Sequence, residues 1–136
     1  MDPQHRLFLE TSWLALEDAG YNPFTYEKGI GVFGASSISS YLIFNILPNK
    51  RAYESFGNQI IIQNDKDFLA TRVSYKFNLT GPSITVQTAC SSALVAVHLA
   101  CQSLLTLECD LALAGGVSIS IPQKQGYLYT RGGIES

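Results

Sequence analysis

The sequence predicts an α/β fold with a mostly parallel sheet. Three segments have the pattern of strands, at 29–35, 82–87 and 110–120, and segments with helical patterns lie between them. Helices between consecutive strands favour a parallel sheet, because parallel neighbours need a crossover connection. The second strand turns sharply into an apolar helix at Cys90, so this corner is the candidate functional site.

The composition limits the classes of function. Only 15% of the 136 residues are charged, against about 25% in a typical domain, so we expect further chain or a partner to cover part of the surface. The net charge of −2 and the scattered basic residues argue against nucleic-acid or membrane binding. No apolar run reaches the roughly 20 residues of a membrane span and no signal peptide is recognisable, which favours the cytoplasm. The 3 cysteines form no CxxC pair, which argues against a metal site or a disulfide framework.

Residues 2–19 have the pattern of an amphipathic helix. Asp2 can cap its start, Pro3 suits the first helical position and Gly20 ends it. The predicted apolar stripe consists of Leu9, Trp13 and Leu16, flanked by Phe8, Ala15 and Ala19. His5 lies in the first turn among polar neighbours, so we expect it at the surface and not in a catalytic site.

The glycine-rich segment 29–35 is predicted to be a core strand. Its glycines match the GxGxxG spacing of a phosphate-binding loop, but they fall within the strand pattern and no acidic residue closes the next strand. We therefore favour close approach of another backbone over nucleotide binding. A flavodoxin-like binding domain, which needs such a loop, is disfavoured for the same reason.

Two helices are predicted between the first and second strands. Residues 41–47 are apolar and end before a proline, whereas 49–63 mixes polar residues with isoleucines and receives no assignment. The second helix follows a cap at Asp65 or Asp67. Arg72 on this helix is expected either in solvent or paired with one of those carboxylates.

The stretch 81–99 carries the feature that points most directly to chemistry. Ile84 and Val86 alternate with polar residues as in a strand, and 91–107 has the pattern of a helix that is apolar all round, which predicts burial. Cys90 stands where the helix begins. Free N–H groups and the positive end of the helix dipole favour a thiolate there by roughly 0.3–1 kcal/mol, and the same N–H groups could hold an oxyanion.

The residues alone leave two interpretations of Cys90 open. It is either a nucleophile for thioester or ester carbonyls, or a small buried cysteine that only packs. His98, Cys101 and Cys109 are expected to pack in the core. After the last strand, the tail 122–136 has the composition of a loop rich in Gly and Tyr.

Several stretches together resemble the ketosynthase domains of modular polyketide synthases, which are β-ketoacyl synthases. The resemblance is centred on Thr88-Ala89-Cys90-Ser91-Ser92 and includes a helix start at Asp2-Pro3-Gln4. The other matching stretches are 64–75, 79–83, 109–117, 126–129 and 132–134. The resemblance therefore extends over essentially the whole chain.

This resemblance implies a thiolase-like fold with layered αβαβα architecture, of which residues 1–136 would be one partial half, an N-terminal subdomain truncated at both ends. It implies an acyltransferase in which Cys90 takes an acyl chain from the phosphopantetheine arm of an acyl carrier protein. A malonyl-type extender then loses CO₂ and attacks the Cys90 thioester, a decarboxylative Claisen condensation of polyketide or fatty-acid-like biosynthesis. No bound cofactor or metal is implied. The implied partners are the acyl carrier protein, the rest of the ketosynthase domain and a second copy in a homodimer.

The resemblance also implies two histidines that assist decarboxylation, both in the second half of the domain. This sequence has only His5 and His98, and His98 lies about 12 Å along the helix from Cys90, beyond hydrogen-bond reach. We therefore expect the nucleophile and one oxyanion donor, the Cys90 N–H, without the rest of the site. The alternative is a non-catalytic assembly or dimerisation module of the same fold, which needs no reactive Cys90.

Overall fold

The computed structural model describes residues 1–124 and 126–133. The predicted tail loop is free of helices and strands over the part described, and 125 and 134–136 lie outside it. The α-helices and strands are α1 (Pro3–Asp18), β1 (Ile30–Ser36), α2 (Lys50–Phe56), α3 (Asn58–Asn64), α4 (Leu69–Phe77), β2 (Ser83–Thr85), α5 (Ser92–Leu105) and β3 (Leu111–Val117). No helix in these ranges is both long and apolar enough to cross a bilayer.

The sheet has three strands in the order β2-β1-β3, and both pairs of neighbours are parallel. Ser83 pairs with Val32, and the long pairing of β1 with β3 runs from Ile30 opposite Leu111 to Ser36 opposite Val117. The predicted parallel sheet is confirmed. All three strands therefore end at the same edge, where ligands bind in open α/β sheets.

Helices cover both faces of this sheet and form two hydrophobic clusters. Val32 of β1 faces α1 and α4, whereas its neighbour Phe33 faces α5, as the two-residue period of a strand requires. The cluster under α1 and α4 contains Phe8, Leu16, Ile30, Val32, Leu69, Ala70, Val73 and Phe77. The cluster under α5 contains Phe33, Val86, Ala96 and Ala100. The molecule thus has three layers, helix, sheet and helix. The start of α5 lies next to the strand ends.

α1 begins as predicted, and its buried face overlaps the predicted stripe in part: Phe8 and Leu16 are buried as expected. Asp2 Oδ1 accepts a hydrogen bond from the Gln4 N–H at 2.7 Å, and Pro3 is the first helical residue. The buried residues are Gln4, His5, Phe8, Ser12 and Leu16, whereas Trp13 is exposed. The prediction that His5 lies at the surface is wrong, since its side chain is 2% exposed. The reason is a contact distant in sequence: Arg72 Nε donates to His5 Nδ1 at 3.2 Å.

The region between β1 and β2 contains more helix than expected. The apolar segment forms a π-helical turn, Leu42–Ile46, and the unassigned residues form α2 and α3. Asp65 accepts from the Asp67 N–H and caps a short 3₁₀ helix that leads into α4. Arg72 forms neither predicted arrangement, because its guanidinium donates to His5 and, at 2.6 Å, to the Ile62 carbonyl.

The glycines of β1 meet the expectation in part. A Cβ at Gly31 would lie 3.4 Å from the Pro82 carbonyl oxygen, so another backbone approaches there. At Gly34, by contrast, the Phe8 ring lies against the strand, with Cζ 2.9 Å from such a Cβ. The closest backbone approach is at Gly81, before β2, where a Cβ would lie 2.5 Å from the Ile30 carbonyl carbon. This glycine lets the chain lie close against the start of β1 as it enters β2.

α5 is buried on one face only, so the prediction of a helix buried all round is wrong. The buried positions are Ser92, Ala96, Ala100 and Ser103, small residues that let the helix pack close to the sheet. Leu94 and Leu105 are each 77% exposed. His98 and Cys101, expected in the core, are exposed as well. Cys109 is buried as predicted.

Candidate active site

An open cleft of about 580 Å³ lies at the edge where the strands end. Its walls are the ends of β1 and β3 and the start of α5. Small residues line most of it, namely Ala35, Ala89, Ala93 and Gly116, and serine hydroxyls add polar groups at Ser36, Ser37, Ser92 and Ser118. The lining includes Cys90 and, among the residues described, no charged side chain.

Cys90 lies on a 3₁₀ turn, Ala89–Ser91, that leads directly into α5. Its thiol is free and exposed. Ala89 has a φ of 52°, in the left-handed region, where a residue with a Cβ stores roughly 1–3 kcal/mol of strain. This turn is the sharp corner that the sequence predicted, and it presents Cys90 to the cleft at the positive end of the helix dipole.

Hydrogen bonds from the start of α5 hold the turn. The Thr88 N–H donates to Ser92 Oγ at 2.8 Å, and the Ser92 hydroxyl donates to the Ala89 carbonyl at 2.7 Å. Sequence reasoning missed these bonds. The signal was present, because serines close to a turn commonly bond the backbone a few residues away.

Close packing of β3 against α5 forms the floor of the cleft. A Cβ at Gly116 would lie 3.1 Å from the Cβ of Ala93, tighter than ordinary side-chain contact. The glycine therefore lets the first turn of α5 approach the strand ends, and Cys90 with it.

The Gln4 side chain secures two loops at the cleft, one of which contributes Ser37 to its lining. Its Oε1 accepts from the Ser37 hydroxyl at 2.7 Å and from the Ile119 N–H at 3.3 Å, and its Nε2 donates to the Ser37 carbonyl at 3.3 Å. Gln4 is 2% exposed. It joins the start of α1 to the loops that follow β1 and β3, a role that local sequence patterns do not reveal.

Neither histidine is placed for chemistry with Cys90. His5 is bonded to Arg72, on the α4 side of the sheet, and His98 is exposed on α5; neither lines the cleft. Burial lowers the pKa of His5, and the nearby Arg72 charge lowers it further. No cluster of His, Cys, Asp and Glu suited to a metal ion occurs within residues 1–124 and 126–133.

Comparison with known proteins identifies relatives of the whole chain. Residues 1–136 match the family model described as the N-terminal domain of β-ketoacyl synthase. A phenolphthiocerol/phthiocerol polyketide synthase protein of Mycobacterium tuberculosis is 57% identical over 100% of this chain and 10% of its own length. A pikromycin polyketide synthase component of Streptomyces venezuelae is 48% identical over 88% of this chain and 3% of its own length.

Solved ketosynthases have the same fold. Ketosynthase twelve of the bacillaene polyketide synthase of Bacillus amyloliquefaciens superposes with a TM-score of 0.83 at 34% identity, covering 97% of this chain and 23% of that one. The module 6 ketosynthase of the bacillaene synthase of Bacillus subtilis 168 gives 0.71 at 41% identity, covering 89% and 19%. The predicted thiolase-like fold is thus confirmed. The chain spans a tenth of the mycobacterial protein and under a quarter of these ketosynthases, and it belongs to the β-ketoacyl synthase family, in the N-terminal domain.

Proposed function

We propose that Cys90 is the acyl acceptor of a polyketide ketosynthase. The observation that carries the proposal is the position of its free thiol, at the start of α5 and in the wall of the cleft at the strand ends. Family membership supports the same assignment, since the relatives are polyketide synthases and ketosynthases. Thiols are kept reduced in the cytosol, so we propose that the reaction takes place in the cytoplasm.

The first step is a transfer between thioesters. The Cys90 thiolate attacks the carbonyl carbon of an acyl group carried on the phosphopantetheine arm of an acyl carrier protein. The carbonyl electrons move onto oxygen, and the Cys90 N–H donates to the oxyanion that forms. Collapse of this intermediate forms the Cys90 thioester, and the carrier thiolate leaves and takes up a proton.

The second step needs residues outside this chain. A malonyl-type extender loses CO₂, and its carbanion attacks the carbonyl carbon of the Cys90 thioester. The bond to sulfur breaks, the Cys90 thiolate leaves, and the β-ketoacyl product stays on the carrier. Neither His5 nor His98 lines the cleft, and the chain covers 23% of a solved ketosynthase, so we propose that residues 1–136 are part of a larger ketosynthase domain. The rest of that domain would supply the two histidines, and a second copy would complete the homodimer.

Intact-mass measurement tests the first step. The chain is incubated with a short acyl thioester of N-acetylcysteamine, in parallel with Cys90→Ala and with Cys101→Ala as a matched control. Cys101 is also exposed and lies on α5. We expect one acyl group on the wild type and on Cys101→Ala, and none on Cys90→Ala.

Two results contradict the proposal. Acyl transfer that persists in Cys90→Ala places the reactive thiol elsewhere. A wild-type chain that gains no acyl group while circular dichroism shows it folded favours the alternative, a non-catalytic assembly or dimerisation module.

A further inference from the structure

We propose that Ser92 is a positioning residue that holds Cys90 in its reactive orientation, an assignment that rests on the proposed acyl-accepting role of Cys90. Ser92 Oγ accepts from the Thr88 N–H at 2.8 Å and donates to the Ala89 carbonyl at 2.7 Å. Its side chain is only 8% exposed. A single buried hydroxyl thus binds the backbone immediately before the nucleophile at two points.

These two bonds constrain the strained residue of the turn. Ala89 has a φ of 52°, and a residue with a Cβ keeps such a conformation only where its surroundings fix it. Ser92 fixes the N–H of the preceding residue, Thr88, and the carbonyl of Ala89 itself. Without the hydroxyl, the Ala89 backbone can relax toward negative φ, which turns the next residue, Cys90, away from the cleft.

Ser92 is held in place by the packing of its own helix. Ser92 is the first residue of α5, and the same face of this helix buries Ala96 and Ala100 against the sheet. The two bonds from Ser92 therefore fix the turn relative to a helix that is packed against the sheet. The packing of α5 thus stabilises the turn.

Ser91 provides a matched comparison. Its hydroxyl donates to the Thr88 carbonyl at 2.7 Å, and Ser91 is exposed. The Thr88 carbonyl also accepts the Ser91 backbone N–H, at 3.3 Å, so it keeps a partner when the Ser91 hydroxyl is removed. Removing the Ser91 hydroxyl therefore leaves both bonds from Ser92 to the backbone in place, although the two serines are neighbours in sequence.

The test compares the wild-type chain with Ser92→Ala, Ser91→Ala and Ser92→Thr. The acylation rate of Cys90 by the N-acetylcysteamine thioester is measured by peptide mass spectrometry. Iodoacetamide labelling of exposed Cys101 and buried Cys109 serves as an internal reference for the fold. We expect Ser92→Ala to slow acylation of Cys90 by roughly tenfold or more, with Cys101 labelling unchanged and Cys109 still protected. Ser91→Ala should lose far less, and Ser92→Thr, which keeps the hydroxyl, should recover part of the rate.

Two results would overturn the assignment. Equal acylation rates in the wild type and Ser92→Ala would show that the hydroxyl does not position the thiol. Labelling of Cys109 in Ser92→Ala would show that Ser92 supports the fold as a whole.

A second measurement separates this assignment from the proposed function. If the wild type gains no acyl group, the proposed function is contradicted, and amide exchange then decides the role of Ser92. We expect the Thr88 N–H to exchange roughly tenfold faster in Ser92→Ala than in the wild type. Unchanged exchange at Thr88 overturns the assignment.

Discussion

Arg72 Nε donates a hydrogen bond to His5 Nδ1 at 3.2 Å, across a separation of 67 residues. The same guanidinium donates to the Ile62 carbonyl, so Arg72 joins α1 and the end of α3 to α4. His5 can accept this bond only while it is neutral, because both ring nitrogens of a protonated histidine carry hydrogen.

This contact predicts that stability decreases as the pH is lowered. Burial and, to a lesser degree, Arg72 lower the pKa of His5 below its ordinary value of 6.5, although Asp2 opposes the shift. The unfolded chain therefore binds a proton at a higher pH than the folded chain. As pH falls from about 6.5 toward the folded pKa of His5, protons favour the unfolded state and the free energy of unfolding decreases.

Urea denaturation between about pH 5 and 8 measures this dependence. His5→Gln should weaken it, because a glutamine oxygen can accept from Arg72 without titrating. His98→Gln is the matched control, since His98 is exposed, and it should keep the wild-type slope. Identical slopes in His5→Gln and the wild type would show that other groups cause the pH dependence.

Gln4→Ala should destabilise the chain and loosen the wall of the cleft. The change removes the Gln4 acceptor from the Ser37 hydroxyl and the Ile119 N–H. Both donors are half-buried, so we expect the lower end of the cost of an unsatisfied buried polar group, about 1 kcal/mol. We expect a loss of that size in urea denaturation and faster amide exchange at Ile119. Gln102→Ala, at an exposed position on α5, is the control and should change neither quantity. Normal protection of Ile119 in Gln4→Ala would refute the role of Gln4.

Gly81→Ala should be among the most damaging alanine substitutions. Its Cβ would lie 2.5 Å from the Ile30 carbonyl carbon and 2.6 Å from the Gly31 nitrogen. Both atoms belong to the central strand, so relief requires β1 and the entry to β2 to separate. We expect a loss of about 3 kcal/mol or more in denaturation. Gly126→Ala, whose Cβ would meet nothing within 4 Å, should be close to neutral, and equal effects would rule out this packing.

The three thiols should differ in accessibility. Cys90 and Cys101 are exposed, whereas Cys109 is 3% exposed and its thiol donates to Ser103 Oγ at 3.4 Å. A thiol-specific disulfide reagent should therefore react quickly with two groups in the native chain and with the third only after denaturant is added. Rapid reaction of all three thiols in buffer would contradict the packing of Cys109 beneath α5.

Local patterns were sufficient for α1, α4, α5, the three strands and the position of the corner at Cys90, but not for α2 and α3. The period of two around Ile84 and the helix that follows Cys90 predicted both the strand and the turn. They did not reveal how the turn is held. A φ of 52° at Ala89 leaves no signal in the sequence, because glycine is the residue that usually marks such a conformation.

The failed predictions about burial share one cause, which is that parts of the protein distant in sequence decide which side chains are covered. His5 was expected in solvent because its neighbours in sequence are polar, but its environment is set by Arg72, a partner distant in sequence. His98 and Cys101 were expected in the core because α5 is apolar all round. Only one face of α5 meets this sheet, and periodicity cannot show which parts of an apolar helix the rest of a protein covers.

The small residues that line the cleft limit how its specificity can change. Ala35, Ala89, Ala93 and Gly116 are already at or near the smallest side chains available. Substitution at these positions can narrow the cleft but can hardly widen it. In the proposed acyl-accepting role, point mutations at these four positions would favour smaller acyl groups, whereas room for bulkier groups would come from the larger lining residues Ile38, Gln87 and Val117.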